Sequence, residues 1–439
     1  MRWLPTAFAA VCIGLLPALP ACSAGGAGAA PARTIALGVD LPLTGVEGQA
    51  GATTLNGVRF FVHSHPNLDG FTVAVDARDD PASPSRDTAV GVQNVHAFIA
   101  DTRVLAVIGP FDSNVARAQI PVANGARLAL VSPGTSNRCL TKDPFLPSAL
   151  NPALTAITCA AAHLPSPAEL RPTGVNNFFR LSTTDDLQGP AAADYATKQL
   201  HLLRVAVLTD GEAYGQALAD GFRARFIRLG GTVVAHMDLD PTAAIDVTAL
   251  LQAAKNDGAQ GVYYGGTSAN HACDIRSQMT SVFGADAAAP LLGGDGIALD
   301  PGCVADAGAT AAGIYATVPA ADAQHTDSAA AVIAAFKAYY GRPSDFGPST
   351  VAAYDATGVI YDALDRAIKA AAGNMPARDS VVAELTATTA YSGANGVFGF
   401  DPDGDTTLRV LTIFRPVSPD PEAGWAWVAT VDYSAALPY

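Results

Sequence analysis

The sequence predicts an α/β protein built as two doubly wound lobes with a cleft between them. Three observations carry this. Short apolar runs alternate with longer stretches of helical periodicity, the pattern of parallel sheets covered by helices. The alternation appears twice, in series of similar size and order. Between them, Arg138–Asn177 is rich in proline, asparagine and small residues and breaks the rhythm. A chain of 439 residues, 49% of them apolar, is long enough for two or three domains with sizeable cores.

In the first series, Thr34–Leu41 reads as a strand, Gly51–Ser64 as a helix and Phe71–Asp76 as the next strand. Asp79-Asp80-Pro81 turns the chain, and Ser85–Ala100 places Val92, Val95 and Ile99 on one helical face. Val104–Ile108 is a strand stopped by Gly109-Pro110. Asn114–Ala123 has helix composition, with Pro121 expected near an end or at a kink. Leu128–Val131 is a strand, and Ser132–Ser136 a loop of small residues. The long stretch Arg138–Asn177 needs a reason to exist inside a compact domain, and a staple between its two cysteines is one.

The second series begins at Val205–Thr209, a strand. Gly215–Leu229 is a helix with Leu218, Phe222, Phe226 and Leu229 on one face, ended by Gly230-Gly231. Thr232–Met237, Gly261–Tyr264, Leu291–Gly293 and Gly313–Val318 read as strands, and Val247–Asn256 and His271–Phe283 as helices. Ser328–Tyr340 and Val351–Ala372 are helices with no strand between them, which suits a return to the first lobe. Asp379–Thr386 is a shorter helix. Gly396–Phe400 and Leu408–Phe414 flank Asp401–Thr407 as an expected hairpin, and Trp425–Val431 adds a strand.

The formal charge is −14 with scattered basic residues, which argues against nucleic acid as a partner. Arg2 followed by the mostly apolar Leu4–Leu19 reads as an export signal, and Pro5, Pro17 and Pro20 count against a spanning helix. Leu19-Pro20-Ala21-Cys22 resembles the bacterial lipoprotein box, so Cys22 is the expected lipidation site. A signal over 1–21 and a flexible tether over 22–33 would leave the protein anchored on the outer face of the cytoplasmic membrane. Four further cysteines, Cys139, Cys159, Cys273 and Cys303, allow three disulfide connectivities in an exported chain. Pairing near neighbours, Cys139–Cys159 and Cys273–Cys303, is favoured because each bridge then staples one loop. A zinc site lacks a close Cys pair and accompanying histidines.

Val104–Ser136 is a βαβ unit whose two loops leave the carboxyl ends of parallel strands, where open α/β sheets bind ligands. Ser113 and Ser136 put hydroxyls beside helix-start amides that can hold a carboxylate. Ser113 is equally a natural helix N-cap. Asp295, in Gly293–Gly296, follows an apolar strand and could be either a cleft acid or a turn aspartate before glycine. Tyr214 stands at a helix start, facing either the core or the cleft. DPDGD at Asp401–Asp405 lacks the last glutamate of a calcium loop, so a turn is expected. There is no phosphate loop and no nucleophile elbow, and no metal or cofactor is expected.

The ordered series LPLTG (Leu41–Gly45), Asp79-Asp80, VIGPFDS (Val107–Ser113), VSPGTS (Val131–Ser136) and FFRLSTTDDLQGPAAADY (Phe178–Tyr195) resembles a known family. It continues through AYGQALA (Ala213–Ala219), VYYGG (Val262–Gly266), GGDG (Gly293–Gly296), AAYDA (Ala352–Ala356) and FGFDPDGD (Phe398–Asp405). The chain is similar to type I periplasmic binding proteins, in particular the branched-chain amino-acid receptors of ABC importers. The resemblance implies a three-crossing hinge near Arg180–Leu181, Val318–Pro319 and Gly393–Gly396. The lobes would then span 34–180 plus 319–393 and 181–318 plus 394–439.

It also implies roles. Ser113 and Ser136 would hold a ligand carboxylate, with backbone groups of Gly134 and Thr135 between them. Asp295, often glutamate in the family, would pair with an ammonium, and Tyr214 would reach into the cleft. Ala50 and Thr267 stand where branched-chain receptors commonly carry tyrosines, which enlarges or reshapes the side-chain pocket. The expected partners are a small solute, an amino acid or similar, and an ABC permease. The protein is expected to be a monomer and not an enzyme.

Overall fold

A computed structural model describes residues 33–45, 47–81, 88–144, 158–240, 245–284 and 289–438. The expected signal, Cys22 and the tether lie outside these. Among the described residues no helix is long and apolar enough to cross a membrane.

The first lobe is built on strands β1 (Arg33–Leu41), β2 (Asn67–Leu68), β3 (Phe71–Asp79), β4 (Val104–Ile108), β5 (Ala129–Ser132) and β6 (Phe178–Arg180). They lie in the order β2-β3-β1-β4-β5-β6, all parallel except the short β2. Side-chain alternation along β1 feeds two cores. Ile35, Leu37, Val39 and Leu41 face α1 (Gly48–Ser64), while Ala36 faces α2 (Ala89–Ala100) and α3 (Ser113–Gly125). Pro121 lies inside α3 rather than at its end. After β5 the chain makes its long excursion, which includes the single-turn α4 (Pro167–Leu170), capped reciprocally by Ser166 and Glu169.

The second lobe begins with α5 (Asp185–Lys198), a helix absent from the sequence expectations. Nearly all of it is buried, so it carries no amphipathic stripe, and Gly189-Pro190 lies within it. β7 (Arg204–Thr209), α6 (Ala213–Arg228), β8 (Thr232–Asp238), α7 (Thr248–Asn256), β9 (Gly261–Gly265) and α8 (Ala272–Phe283) follow. Then come β10 (Leu291–Gly293), α9 (Pro301–Ala307) and β11 (Ile314–Val318). α10 (Ala330–Tyr340), α11 (Thr350–Ala370) and α12 (Arg378–Thr386) return to the first lobe, where α11 and α12 complete the core over β1.

The end of the chain corrects two expectations. β12 (Tyr391–Gly393) pairs with β13 (Gly396–Phe398) in a small hairpin, so Gly393–Gly396 is its turn and not a crossing. The expected hairpin about Asp401–Thr407 shrinks to one antiparallel bridge, Phe400 with Thr406, and the longer strands expected to flank it do not pair. β14 (Val410–Pro416) pairs instead with β11 and β15 (Trp425–Asp432), at the edge of a sheet ordered β15-β14-β11-β10-β9-β7-β8. The cause is burial: Phe398 and Phe400 sit in the first core, Leu411 and Ile413 in the second lobe. The third passage between sheets therefore falls between Phe400 and Val410.

Both favoured disulfides are present, Cys139–Cys159 with Cα atoms 5.8 Å apart and Cys273–Cys303 with Cα atoms 5.4 Å apart. Cys139 and Cys159 pack on Ala217 and Ala224 of α6, so the stapled excursion from the first lobe rests on the second.

The three passages are tied together. Thr183 donates its hydroxyl to the carbonyls of Pro319 (2.8 Å) and Val410 (3.1 Å), touching all three at one residue. Beside it, the fully buried Arg180 donates Nε to Asp405 Oδ1 at 2.7 Å, and Lys142 Nζ lies 2.8 Å from Asp405 Oδ2 and 2.6 Å from Asp401. Asp401 accepts the amides of Asp403 and Asp405, making DPDGD a turn held by a lysine rather than a calcium loop. Gly404 is required there: its φ is +93°, and a Cβ would stand 2.1 Å from the Phe178 carbonyl. Burial alone would raise the pKa of Asp405, but Arg180 and Lys142 outweigh it and hold the carboxyl below the usual carboxylate range.

Asp405→Asn leaves Arg180 buried without its counter-charge. It should cost about 3–5 kcal/mol of stability in chemical denaturation; a loss below about 1 kcal/mol would contradict this account of the hinge.

A second acidic pair lies under the first lobe's switch point. Asp40, fully buried, accepts from Asn94 (2.7 Å) and from Gln119, and beside it lies buried Asp80, whose carboxyl oxygens have no hydrogen-bond partner. Burial, then the charges of Asp40 and Asp112, push the Asp80 pKa up to about 9. An unfolded aspartate ionises near about pH 3.9, so between there and about 9 only the folded chain holds this proton. Stability therefore falls as pH rises through that window. Asp80→Asn should raise the melting temperature at about pH 8 by at least about 3 °C, the gain shrinking towards about pH 4. Equal melting temperatures at the higher pH would refute the assignment.

Candidate functional site

The loops after β4, β5, β7, β9 and β10 leave the carboxyl ends of their sheets, at the ends where doubly wound sheets bind ligands. In the β4–α3 loop, Asp112 caps the helix, accepting the amides of Asn114 (2.6 Å) and Val115 (3.2 Å). Ser113 is thereby released from the capping role. Its hydroxyl accepts the Asn137 amide at 3.3 Å, which brings it to the β5 loop.

That loop is organised by buried Ser132, a residue the sequence reading passed over. Its hydroxyl donates to the Pro110 carbonyl (2.7 Å) and accepts from the amides of Gly134 (3.3 Å) and Thr135 (3.0 Å) and from the Thr135 hydroxyl (2.9 Å). Gly134 and Thr135 thus use the amides expected to meet a ligand within the loop itself. The Thr135 carbonyl accepts from the Ser182 hydroxyl. Gly134 also lies under the Phe111 ring, which a Cβ would meet at 3.0 Å. Ser113 and Ser136 stand on the adjoining loops after β4 and β5. Ser136 meets the second lobe through its carbonyl, which accepts the Asp185 amide at 2.9 Å, and its hydroxyl lies beside the Asp185 carboxyl.

Asp185, the first residue of α5, opens a chain of contacts. Gln188 Nε2 donates to Asp185 Oδ1 at 3.0 Å and to Asp295 Oδ1 at 2.9 Å, so two carboxyls from separate elements share one amide nitrogen. Thr317 holds the other end of Gln188, donating to Oε1 at 3.1 Å. Tyr214, at the start of α6, donates to Asp295 Oδ1 at 2.6 Å and accepts the Gly296 amide at 3.0 Å. Thr267 lies against Gly296, and the neighbouring Ser268 amide bonds the Gly296 carbonyl at 2.9 Å. The structure thus brings Ser113, Ser136, Tyr214, Thr267 and Asp295 to one place.

Asp185 and Gln188 are additions to that set. Their signal was present in the stretch Asp185–Pro190, but α5 has no helical periodicity to place its residues on one face.

The electrostatics are one-sided. Burial, then the charge of Asp295, raise the Asp185 pKa to about 7 against the bonds from Ser136 and Gln188. Burial likewise raises Asp295, opposed by Tyr214 and Gln188. The Tyr214 phenol is pushed well above its ordinary value by burial and by Asp295, so it stays a donor. Among the described residues no cation forms an ion pair with either acid, and no cluster of side chains could hold a metal ion. Hydroxyls thus lie on one side and an acid pair without a cation on the other.

Residues 34–418 match the model of the family described as "Periplasmic binding protein". A Leu/Ile/Val-binding protein homolog 3 of Brucella melitensis is 28% identical over 384 residues, 87% of this chain and 91% of that protein. An amino acid binding protein of Pseudomonas aeruginosa is 26% identical over 235 residues, and that match spans about half (54%) of its length. Among solved structures, the leucine binding protein LivK of Thermotoga maritima superposes with a TM-score of 0.67 at 22% identity, covering 90% of this chain and 98% of that one. A solute binding protein of an ABC transporter from R. palustris, in complex with 4-hydroxybenzoate, gives 0.68 at 19% identity over 91% and 97%. With its paired doubly wound sheets, its three passages between them and a family match over residues 34–418, this chain belongs to the periplasmic binding protein family.

Proposed function

We propose that the protein is the exported, lipid-anchored receptor of an ABC importer and that it captures an amino acid for delivery to a permease. The observation that carries this reading is the pairing of Asp185 with Asp295 through Gln188, across from the hydroxyls of Ser113 and Ser136. A zwitterion satisfies both sides at once: its ammonium meets two acids and a phenol oxygen, its carboxylate meets hydroxyls. The names of the curated relatives, which are amino-acid binders, support the same class. Capture needs closure and no bond breaking, and hinge closure about a ligand is the habit of this class.

The side-chain end is less like a branched-chain receptor. Ala50 and Thr267 stand where tyrosines are common in that subfamily, which leaves room for a bulkier or more polar side chain. This favours a second reading, an aromatic acid, as in the neighbour bound to 4-hydroxybenzoate. Such a ligand would answer the hydroxyls but not the acids.

A thermal-shift screen of amino acids, amides and aromatic acids separates the two, because a ligand that binds only the folded state raises the melting temperature. For an amino-acid ligand, Asp295→Asn should weaken binding by about 2–5 kcal/mol in calorimetry, the scale for unpairing a buried charge. An unchanged dissociation constant would remove Asp295 from the ammonium site.

A further inference from the structure

The two acids of the cleft share more than a neighbour. Their Oδ1 atoms both accept from Gln188 Nε2, at 3.0 Å and 2.9 Å, so they lie no further apart than those two bonds laid end to end. Asp185 is 2% exposed, and Asp295 is partly buried. The groups that face them from each packed element are few. From β6 comes Arg180, the nearest cation, but its donors go to Asp405, the Asn137 carbonyl and Thr141. From α6 comes Tyr214 and from β9 Tyr263, both phenols kept protonated by burial. Ser136, Gln188 and Thr317 supply neutral contacts. Asp186, next in the chain, turns the other way and bonds Arg138 at 2.7 Å.

Two like charges this close, without a cation of their own, cannot both be ionised cheaply. We infer that the Asp185–Asp295 pair holds a proton while the cleft is empty and exchanges it for the ammonium of an entering ligand. The exchange balances: the carboxyl proton leaves for solvent, the second carboxylate forms, and the ammonium N–H groups donate to the pair. This rests on the amino-acid reading above and extends it, since it makes the pH dependence of binding a readout of ligand charge. With the Asp185 pKa near 7, an ammonium-bearing ligand should bind up to about tenfold more weakly for each pH unit below about 7. A ligand with a carboxylate and no ammonium should show the reverse slope or none.

The test has an arm that needs no ligand. Carboxyl titration of the empty protein by carbon-13 NMR with labelled aspartate should show a carboxyl that keeps its proton beyond about pH 6 in addition to those of Asp80, Asp40 and Asp355, which burial also raises. The signal should vanish in Asp185→Asn and move to lower pH in Asp295→Asn; if one variant fails to fold, the other decides. If every aspartate of the cleft ionises below about pH 5 in the wild type, the shared proton does not exist and the proposal falls. The second arm is calorimetry at about pH 6.5 in two buffers of different ionisation enthalpy, with L-leucine and 4-hydroxybenzoate as probes and the best binder from the screen added. Release of close to one proton per ammonium-bearing ligand supports the exchange, and binding of such a ligand with no release overturns it. Tight binding of 4-hydroxybenzoate alone, with the wild-type titration intact, would instead sink the amino-acid reading and leave the shared proton standing.

Discussion

The buried guanidinium of Arg180 is the constraint that the rest of the molecule is arranged around. It sits where the first sheet ends and the first passage to the second lobe begins, and its donors reach in three directions. One goes to Asp405 in the third passage, one to the Asn137 carbonyl in the loop that carries Ser136, one to Thr141 beside the first disulfide. A charge fully out of water is tolerated only when such partners surround it. The hinge, the serine loop and the stapled excursion therefore hold their positions jointly, because each contributes a partner that the arginine cannot lose.

From that anchor the geometry of the cleft follows by short steps. The Asn137 amide fixes the Ser113 hydroxyl, Ser136 reaches Asp185, and Asp185 reaches Asp295 through one glutamine. Residues far apart in the chain become neighbours because every loop involved leaves the same ends of two parallel sheets.

Much of this was legible in the residues alone. Strands such as Val104–Ile108 and Gly261–Gly265 are uninterrupted apolar runs, and their burial on both faces leaves little room for another reading. Of the three disulfide connectivities the sequence allows, the favoured near-neighbour pairing is the one present. Ser113, Ser136, Tyr214 and Asp295 are found where ordered motifs put them. The failures share one physical origin: they lie where an element is buried all round or where an aromatic residue decides between two cores. α5 carries no stripe, so Asp185 and Gln188 went unplaced. Phe398 and Phe400 could belong to either lobe by sequence, and only packing assigns them to the first. Ser132 looks like any loop serine, yet it takes the amides that Gly134 and Thr135 would otherwise have offered.

The excursion closed by Cys139 and Cys159 leaves the first lobe and settles on Ala217 and Ala224 of α6. Drawing α6 away from the first lobe would therefore uncover the face of this disulfide, an apolar cost that any separation on that flank has to meet.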